Sequence, residues 1–128
     1  IIVGGIAEAI AKSRGVYIFV SNLMTKKGQT HGMTAANLVA EVGRYSSRLP
    51  EMVVVHNKTI NKTVLAKYSL LGEESIKDDL GKKQIYSVVR ADVVAPNEVK
   101  KDKGDTLVRS LIRHDANKLG KVLRKIMK

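Results

Sequence analysis

Two short apolar runs separated by a segment with helical spacing form the clearest pattern in the chain. Residues 16–20 and 52–55 are almost all aliphatic or aromatic, which is typical of strands buried on both faces of a parallel sheet. The apolar positions between them alternate steps of three and four, as an amphipathic helix requires: Ala35, Leu38, Val42, Tyr45 and Leu49. Strand, helix and strand at this spacing predict one βαβ unit with a right-handed crossover.

Helical spacing recurs on both sides of this unit. Residues 6–13 predict a short helix that Gly15 ends. After a turn over residues 57–61, a third helix is predicted from Val64, Leu65, Tyr68 and Leu71. Asp115 can cap a last helix. The apolar stripe of that helix consists of Leu119, Val122, Leu123, Ile126 and Met127.

The remaining segments predict loops and short strands. Residues 73–83 are polar and interrupted by glycine, so we expect a surface excursion there. Residues 85–89 and 91–94 are short strand candidates. Residues 96–105 are highly charged and predict a mobile loop. Together the pattern predicts a single α/β segment over residues 1–128 with a mostly parallel sheet.

The loop from Asn22 to Thr34 is the strongest candidate for chemistry. It joins a predicted strand to a helix, and such loops bind anions and nucleotides in open α/β sheets. Gly28 and Gly32 allow sharp turns and a close approach to a ligand. Thr25 and Thr30 add hydroxyls, as does Thr34, which can also cap the helix. The alternative is an ordinary long connection, although unstructured loops of this length tend to be functional.

Composition excludes several classes of protein. The chain has 128 residues, 44% of them apolar, which is enough for one core, and that core must be aliphatic because only Phe19 and four tyrosines are aromatic. The absence of cysteine excludes disulfides and thiolate metal sites. Three scattered histidines show no metal-ligand spacing, so no metal site is expected. Because no long apolar run or signal peptide is visible, we expect a cytoplasmic protein that does not bind membranes.

The formal net charge of +11 favours partners that carry phosphate. Much of this charge lies on the predicted last helix, opposite its apolar stripe: Lys118, Lys121, Arg124, Lys125 and Lys128. Any solvated amphipathic helix has this arrangement. Neither stacking aromatics nor a known motif supports nucleic-acid recognition. A basic nucleic-acid-binding module is therefore the less favoured alternative.

Four pieces of the chain resemble one family. The loop resembles the Asn-(Leu/Ile)-Met-Thr-Gln-x-Gly-Glu-Thr-x-Gly-(Phe/Tyr)-Thr segment of the CofD-like proteins. Residues 5–10 (Gly-Ile-Ala-Glu-Ala-Ile), 66–68 (Ala-Lys-Tyr) and 113–119 (Arg-His-Asp-Ala-Asn-Lys-Leu) match other family motifs in order. This family includes 2-phospho-L-lactate transferases and YvcK-type gluconeogenesis factors, and the match is closer to the second branch. The chain departs from the pattern at five positions: Gly4 replaces proline, Lys26 replaces glutamine, Gln29 replaces glutamate, His31 replaces an often acidic residue, and Met33 replaces an aromatic residue.

The resemblance implies a three-layer, Rossmann-like fold of which this chain is the C-terminal part. The family's Gly-Gly-Gly-Thr-Gly phosphate loop has no counterpart in the sequence, so we expect a preceding segment to supply it. The implied function is a regulatory protein that binds a UDP-sugar and influences central carbon metabolism or the cell envelope and cell shape. A 2-phospho-L-lactate transferase-like enzyme is the alternative, against which the acid-poor loop and the absent phosphate loop both argue. We also expect a homo-oligomer, because a partial sheet leaves edges uncovered.

The resemblance also implies which residues bind the ligand. Tyr68 would lie near the base or sugar, the alternative being core packing with Leu65 and Leu71. Arg113 would bind the diphosphate, the alternative being an ion pair with Asp115 or Asp92. The neighbouring His114 is expected to be a surface histidine or a fully bonded one. The predicted ligand-binding set is Asn22, Thr25, Gly28, Thr30, Thr34, Tyr68 and Arg113. No catalytic residue is predicted.

Overall fold

The computed structural model describes residues 3–82, 85–96 and 110–128. Its elements are α1 (Ile6–Lys12), β1 (Ile18–Val20), α2 (Ala35–Ser46), β2 (Met52–His56), α3 (Lys62–Ser69), β3 (Ser87–Ala91) and α4 (Ala116–Ile126). The three strands form a parallel sheet in the order β1–β2–β3. The predicted βαβ unit and the α/β fold class are therefore confirmed.

One row of side chains across the sheet shows where the core lies. Phe19, Val53 and Val88 are register partners on the three strands. They pack with Ala35 and Val39 of α2 in one apolar cluster. The β-branched run of β2 is buried, as predicted, whereas β1 begins only at Ile18 and remains partly exposed. The prediction of burial on both faces was wrong for β1 because, in the described sheet, β1 is an edge strand.

The second helix is shorter than its apolar pattern predicted. The side chain of Thr34 accepts a hydrogen bond from the Asn37 backbone N–H, and the Asn37 side chain accepts one from the Thr34 backbone N–H, which is a capping box. At the other end, Ser47 adopts a left-handed conformation with φ 53°, and α2 ends at Ser46. Leu49 therefore lies beyond the helix and is 40% exposed. Tyr45, which was also predicted to be on the buried face, is 50% exposed.

The segment over residues 73–82 lies mostly at the surface, as its polarity predicted, but it is anchored to α2. Leu80 is buried in the α2 cluster. The Lys77 carbonyl accepts from the Ala35 N–H at 3.0 Å, and the Asp79 carboxylate accepts from the Ala36 N–H at 2.9 Å. These N–H groups belong to the first turn of α2 and have no partner within the helix. The segment thus covers the amino end of α2.

The end of the chain follows the prediction in outline. One strand, β3, replaces the two candidates at 85–89 and 91–94, and Ile85 is 84% exposed. After β3, Val94 forms an isolated antiparallel bridge with His114. Asp115 caps α4 by accepting from the Lys118 N–H at 2.8 Å. No residue of α4 is fully buried. The predicted mobile loop at 96–105 lies, apart from Pro96, outside the described residues.

Candidate functional site

All three strands end at the same edge of the sheet, where the loops after them surround open clefts. Among the described residues, a cleft of about 540 Å³ is lined by Asn22 and Arg113 together with Tyr68 and Glu73. We call it the Arg113 cleft. A second cleft of about 480 Å³ shares Asn22 and extends along residues 56–60. A third, of about 420 Å³, includes Asp92 and Lys118. The carboxyl edge of a parallel sheet is where ligands bind in folds of this kind.

The first part of the Asn22–Thr34 loop is held as a short ribbon against residues 73–76. The Thr25 N–H donates to the Glu74 carbonyl at 2.7 Å, and the Glu74 N–H donates to Thr25 Oγ1 at 2.8 Å. Met24 and Ser75 form an antiparallel bridge. Thr25 is buried and lines the Arg113 cleft, but its hydroxyl is already used to hold the loop.

The tip of the loop is a series of turns. Thr30 Oγ1 accepts from the Lys26 N–H at 2.8 Å, and the Thr30 N–H donates to the Lys26 carbonyl at 2.9 Å. Gly28 and Gly32 have φ values of 77° and 70°, a conformation that favours glycine. Of the predicted ligand-binding residues, Gly28, Thr30 and Thr34 therefore shape the loop and do not line the Arg113 cleft.

Arg113 is exposed in the cleft, and its side chain has no hydrogen-bond or ion-pair partner among the described residues. Both carboxylates that could have paired with it are engaged elsewhere. Asp115 accepts from the Lys118 backbone, and Asp92 accepts from Lys118 Nζ at 2.8 Å. The guanidinium is therefore available to a ligand, and the ion-pair alternative finds no support in the geometry.

Tyr68 lies in the wall of the Arg113 cleft but belongs mainly to the core. It is 3% exposed and packs with Val64 and Ile112. Its hydroxyl accepts a hydrogen bond from the Ile112 N–H at 3.2 Å. In this arrangement the tyrosine joins α3 to the chain segment that carries Arg113, and only part of its surface faces the cleft.

The ion pair between Lys26 and Glu73 is a feature of the cleft that sequence reasoning missed. Lys26 Nζ lies 2.6 Å from Glu73 Oε1, and the two side chains are 49% and 5% exposed. The residues are 47 positions apart, so no local pattern could have indicated the contact. The pair adds a cation and its counter-charge to the wall of the Arg113 cleft.

Two histidines lie at the same edge, and burial lowers the pKa of both. His56 Nδ1 accepts from the Val93 N–H at 3.3 Å, and desolvation of the ring lowers its pKa more than Asp92 raises it. Burial also lowers the pKa of His114, against a smaller opposing effect of a hydrogen bond with the Ser21 backbone. His114 Nε2 is buried and has no hydrogen-bond partner within the described part of the chain. The expectation of a surface or fully bonded histidine was therefore wrong for His114.

Metal-binding clusters and membrane-spanning helices are both absent from the described part of the chain. No group of three or more histidine, cysteine, aspartate or glutamate side chains there is arranged to hold a metal ion. No described helix combines the length and apolar character that crossing a bilayer requires.

A parallel sheet with a polar cleft at its carboxyl edge defines the class: a Rossmann-like α/β protein. Residues 1–94 match the family model described as 2-phospho-L-lactate transferase CofD. The chain belongs to the CofD family, as its motifs implied.

Similar proteins indicate the branch of this family. The chain is 30% identical over 126 residues to a "Putative gluconeogenesis factor" of Thermotoga maritima, covering 98% of this chain and 38% of the relative. A Nostoc protein of the same name is 30% identical over 127 residues, and the match covers 98% of this chain and 26% of the Nostoc protein. Two crystal structures of a UPF0052 family protein from Bacillus halodurans superpose with TM-scores of 0.70 and 0.74 at 26% identity, covering 98% of this chain and 37% of theirs. The chain thus spans between a quarter and two fifths of the length of these proteins.

Proposed function

We propose that the chain is a nucleotide-sugar-binding module of the gluconeogenesis-factor type, with regulatory rather than catalytic function. The diphosphate of a UDP-sugar would bind in the Arg113 cleft. The observation that carries this proposal is the exposed guanidinium of Arg113, which has no partner among the described residues and lies in the cleft that also contains the start of the Asn22–Thr34 loop. A guanidinium can offer paired donors to two phosphate oxygens at once.

The other polar groups of the cleft suit the rest of such a ligand. Asn22 is exposed and lines both the Arg113 cleft and its neighbour. Its amide can donate to and accept from the hydroxyls of a ribose or a hexose. Tyr68 offers mainly ring surface, because its hydroxyl is bonded to the Ile112 backbone. An extended ligand can therefore run from Arg113 past Asn22 into the second cleft.

In the described linings of the Arg113 cleft and the second cleft, the acidic side chains are already paired, which favours binding over catalysis; Asp78 of the second cleft is bonded to Arg90. Glu73 is the acidic side chain in the described lining of the Arg113 cleft, and it is paired with Lys26. Phosphoryl transfer needs positioned phosphates and a metal clamp held by acidic groups. We therefore propose that occupancy by the nucleotide sugar, rather than turnover, is the signal that this protein transmits within central carbon or cell-envelope metabolism.

Titration calorimetry with UDP-glucose tests the proposal on the full chain. We expect Arg113→Ala to weaken binding by about 1.5–3 kcal/mol, the usual worth of a hydrogen bond to a charged group. Arg113→Lys should restore only part of the affinity, because lysine lacks the planar fork. Since Arg113 has no described partner, its removal should leave the melting temperature unchanged. The matched control is Arg124→Ala, because Arg124 is an exposed arginine of α4 that lines none of the three clefts.

Two results would contradict the proposal. Unchanged UDP-glucose affinity in Arg113→Ala would remove this arginine from the site. No heat with UDP-glucose, together with duplex DNA binding that weakens steeply with salt, would instead support the nucleic-acid alternative.

A further inference from the structure

The charge balance inside the Arg113 cleft depends on the ion pair between Lys26 and Glu73. Glu73 is almost fully buried, and an unpaired carboxylate at that position would repel a phosphate bound at Arg113. Lys26 Nζ lies 2.6 Å from Glu73 Oε1 and compensates this charge. The cleft therefore keeps a net positive wall even though a carboxylate is part of it.

The backbone around Lys26 is held on both sides. The preceding residue, Thr25, exchanges two hydrogen bonds with Glu74, and the Lys26 N–H and carbonyl both bond to Thr30. The ammonium is thus fixed by its ion pair and by the loop that carries it. Such preorganisation reduces the entropy that binding a ligand would otherwise cost.

Lys26 also retains binding capacity. An ammonium group has three N–H donors, and the described hydrogen bonds use one of them, to Glu73. The side chain is 49% exposed and lines the same cleft as Arg113. Two donors and half of the side-chain surface are consequently available to a ligand.

We propose that Lys26 is a second cationic contact for the diphosphate in the Arg113 cleft, and that Glu73 positions it. This inference rests on the proposed function. At position 26 lysine stands where the family pattern has neutral glutamine, and at position 29 neutral glutamine stands where the pattern has glutamate. Each difference makes the loop one unit more positive. The cleft of this chain is accordingly suited to a ligand end with high negative charge, such as a diphosphate.

Calorimetric titration of UDP-glucose, UDP and inorganic pyrophosphate into the native chain and three variants tests this role. Lys26→Gln should lower the affinity for all three ligands about tenfold relative to the native chain, the equivalent of about 1.4 kcal/mol. Lys27→Gln is the matched control, because it removes the same charge from an exposed lysine that lines none of the three clefts. We expect this control to change affinity less than twofold. Lys26→Arg keeps the charge and the pairing with Glu73, so it should retain most of the affinity.

A labelling experiment on the native chain avoids any folding defect of the variants. Amine acylation followed by mass spectrometry should show that pyrophosphate or UDP-glucose protects Lys26 several-fold more than Lys27. Equal protection, or equal affinities of Lys26→Gln and Lys27→Gln, would overturn the role of Lys26 while leaving UDP-glucose binding intact. Pyrophosphate binding that depends on Lys26, without binding of UDP-glucose, would instead overturn the nucleotide-sugar proposal and keep the anion contact.

Discussion

At the residue scale, the carboxyl edge combines groups whose charge depends on folding. The ring of His56 lies at the end of β2, where Asp92 and Lys118 are close enough to affect its charge, and His114 begins the segment that leads into α4. In both, loss of solvent is the main cause of the lowered pKa. These groups therefore link the stability of the fold to pH at the place where the proposed ligand binds.

Stability should fall as the pH decreases from about 7 to about 5. The unfolded chain takes up protons on His56 and His114 near their ordinary pKa of 6.5, whereas the folded chain takes them up only at lower pH. Protonation thus favours unfolding within this window. Urea denaturation at several pH values measures this effect. In His56→Asn, whose amide oxygen can still accept from the Val93 N–H, the free energy of unfolding should change less with pH than in the native chain.

The measured quantity is the free energy of unfolding as a function of pH. A flat profile between pH 7 and pH 5 in the native chain would contradict the prediction.

At the element scale, two arginine–glutamate pairs with the same spacing have different environments. Arg44 and Glu41 lie on the exposed face of α2, with side chains 61% and 43% exposed. Arg48, 20% exposed, also pairs with a glutamate three positions away, Glu51. In addition, its guanidinium donates to the carbonyls of residues 10, 13 and 15 at 3.2, 2.7 and 2.9 Å. Arg48 therefore joins α1 and the following turn to the start of β2.

Arg48→Ala should lower the free energy of unfolding by about 2 kcal/mol, since it removes three hydrogen bonds from a charged donor to backbone carbonyls together with the pair to Glu51. Arg44→Ala should lower the free energy of unfolding far less, because exposed pairs of this spacing contribute little to stability. Urea denaturation of the two variants measures the difference directly. Equal losses would show that the three carbonyl contacts contribute nothing to stability.

A variant of Thr34, the residue that caps α2, can distinguish a structural role of this threonine from a role in ligand binding. Thr34→Ala removes the capping box with Asn37 and should destabilise the fold by about 1 kcal/mol. Because Thr34 does not line the Arg113 cleft, UDP-glucose affinity should be unchanged. Denaturation and calorimetry on the same variant test both statements. A loss of affinity without a loss of stability would return Thr34 to the predicted ligand-binding set.

At the scale of the whole molecule, charge and exposed edges act in opposite directions. Both outer strands of the described sheet have an unpaired edge, and such edges pair readily with other chains. The net charge of +11 keeps copies apart. The extent of self-association should depend on protein concentration and on ionic strength.

Self-association should therefore increase with protein concentration and with added salt, which screens the repulsion between the basic copies. Sedimentation velocity at low and high salt measures this directly. A single monomeric species under all of these conditions would contradict the expected homo-oligomer. Association that decreased with salt would show that ion pairs, rather than edges and apolar surface, hold the copies together.

The sequence by itself determined the features that depend on near neighbours along the chain. The βαβ unit, the Thr34 and Asp115 caps and the loop at the end of β1 follow from periodicity and side-chain chemistry within a few residues. Only the tertiary structure decided which distant groups meet. It brought Lys26 to Glu73, placed residues 73–82 over the amino end of α2, and left Arg113 without a described partner. Local patterns report which face of an element is apolar, whereas these contacts depend on how strand order and crossovers bring distant segments together.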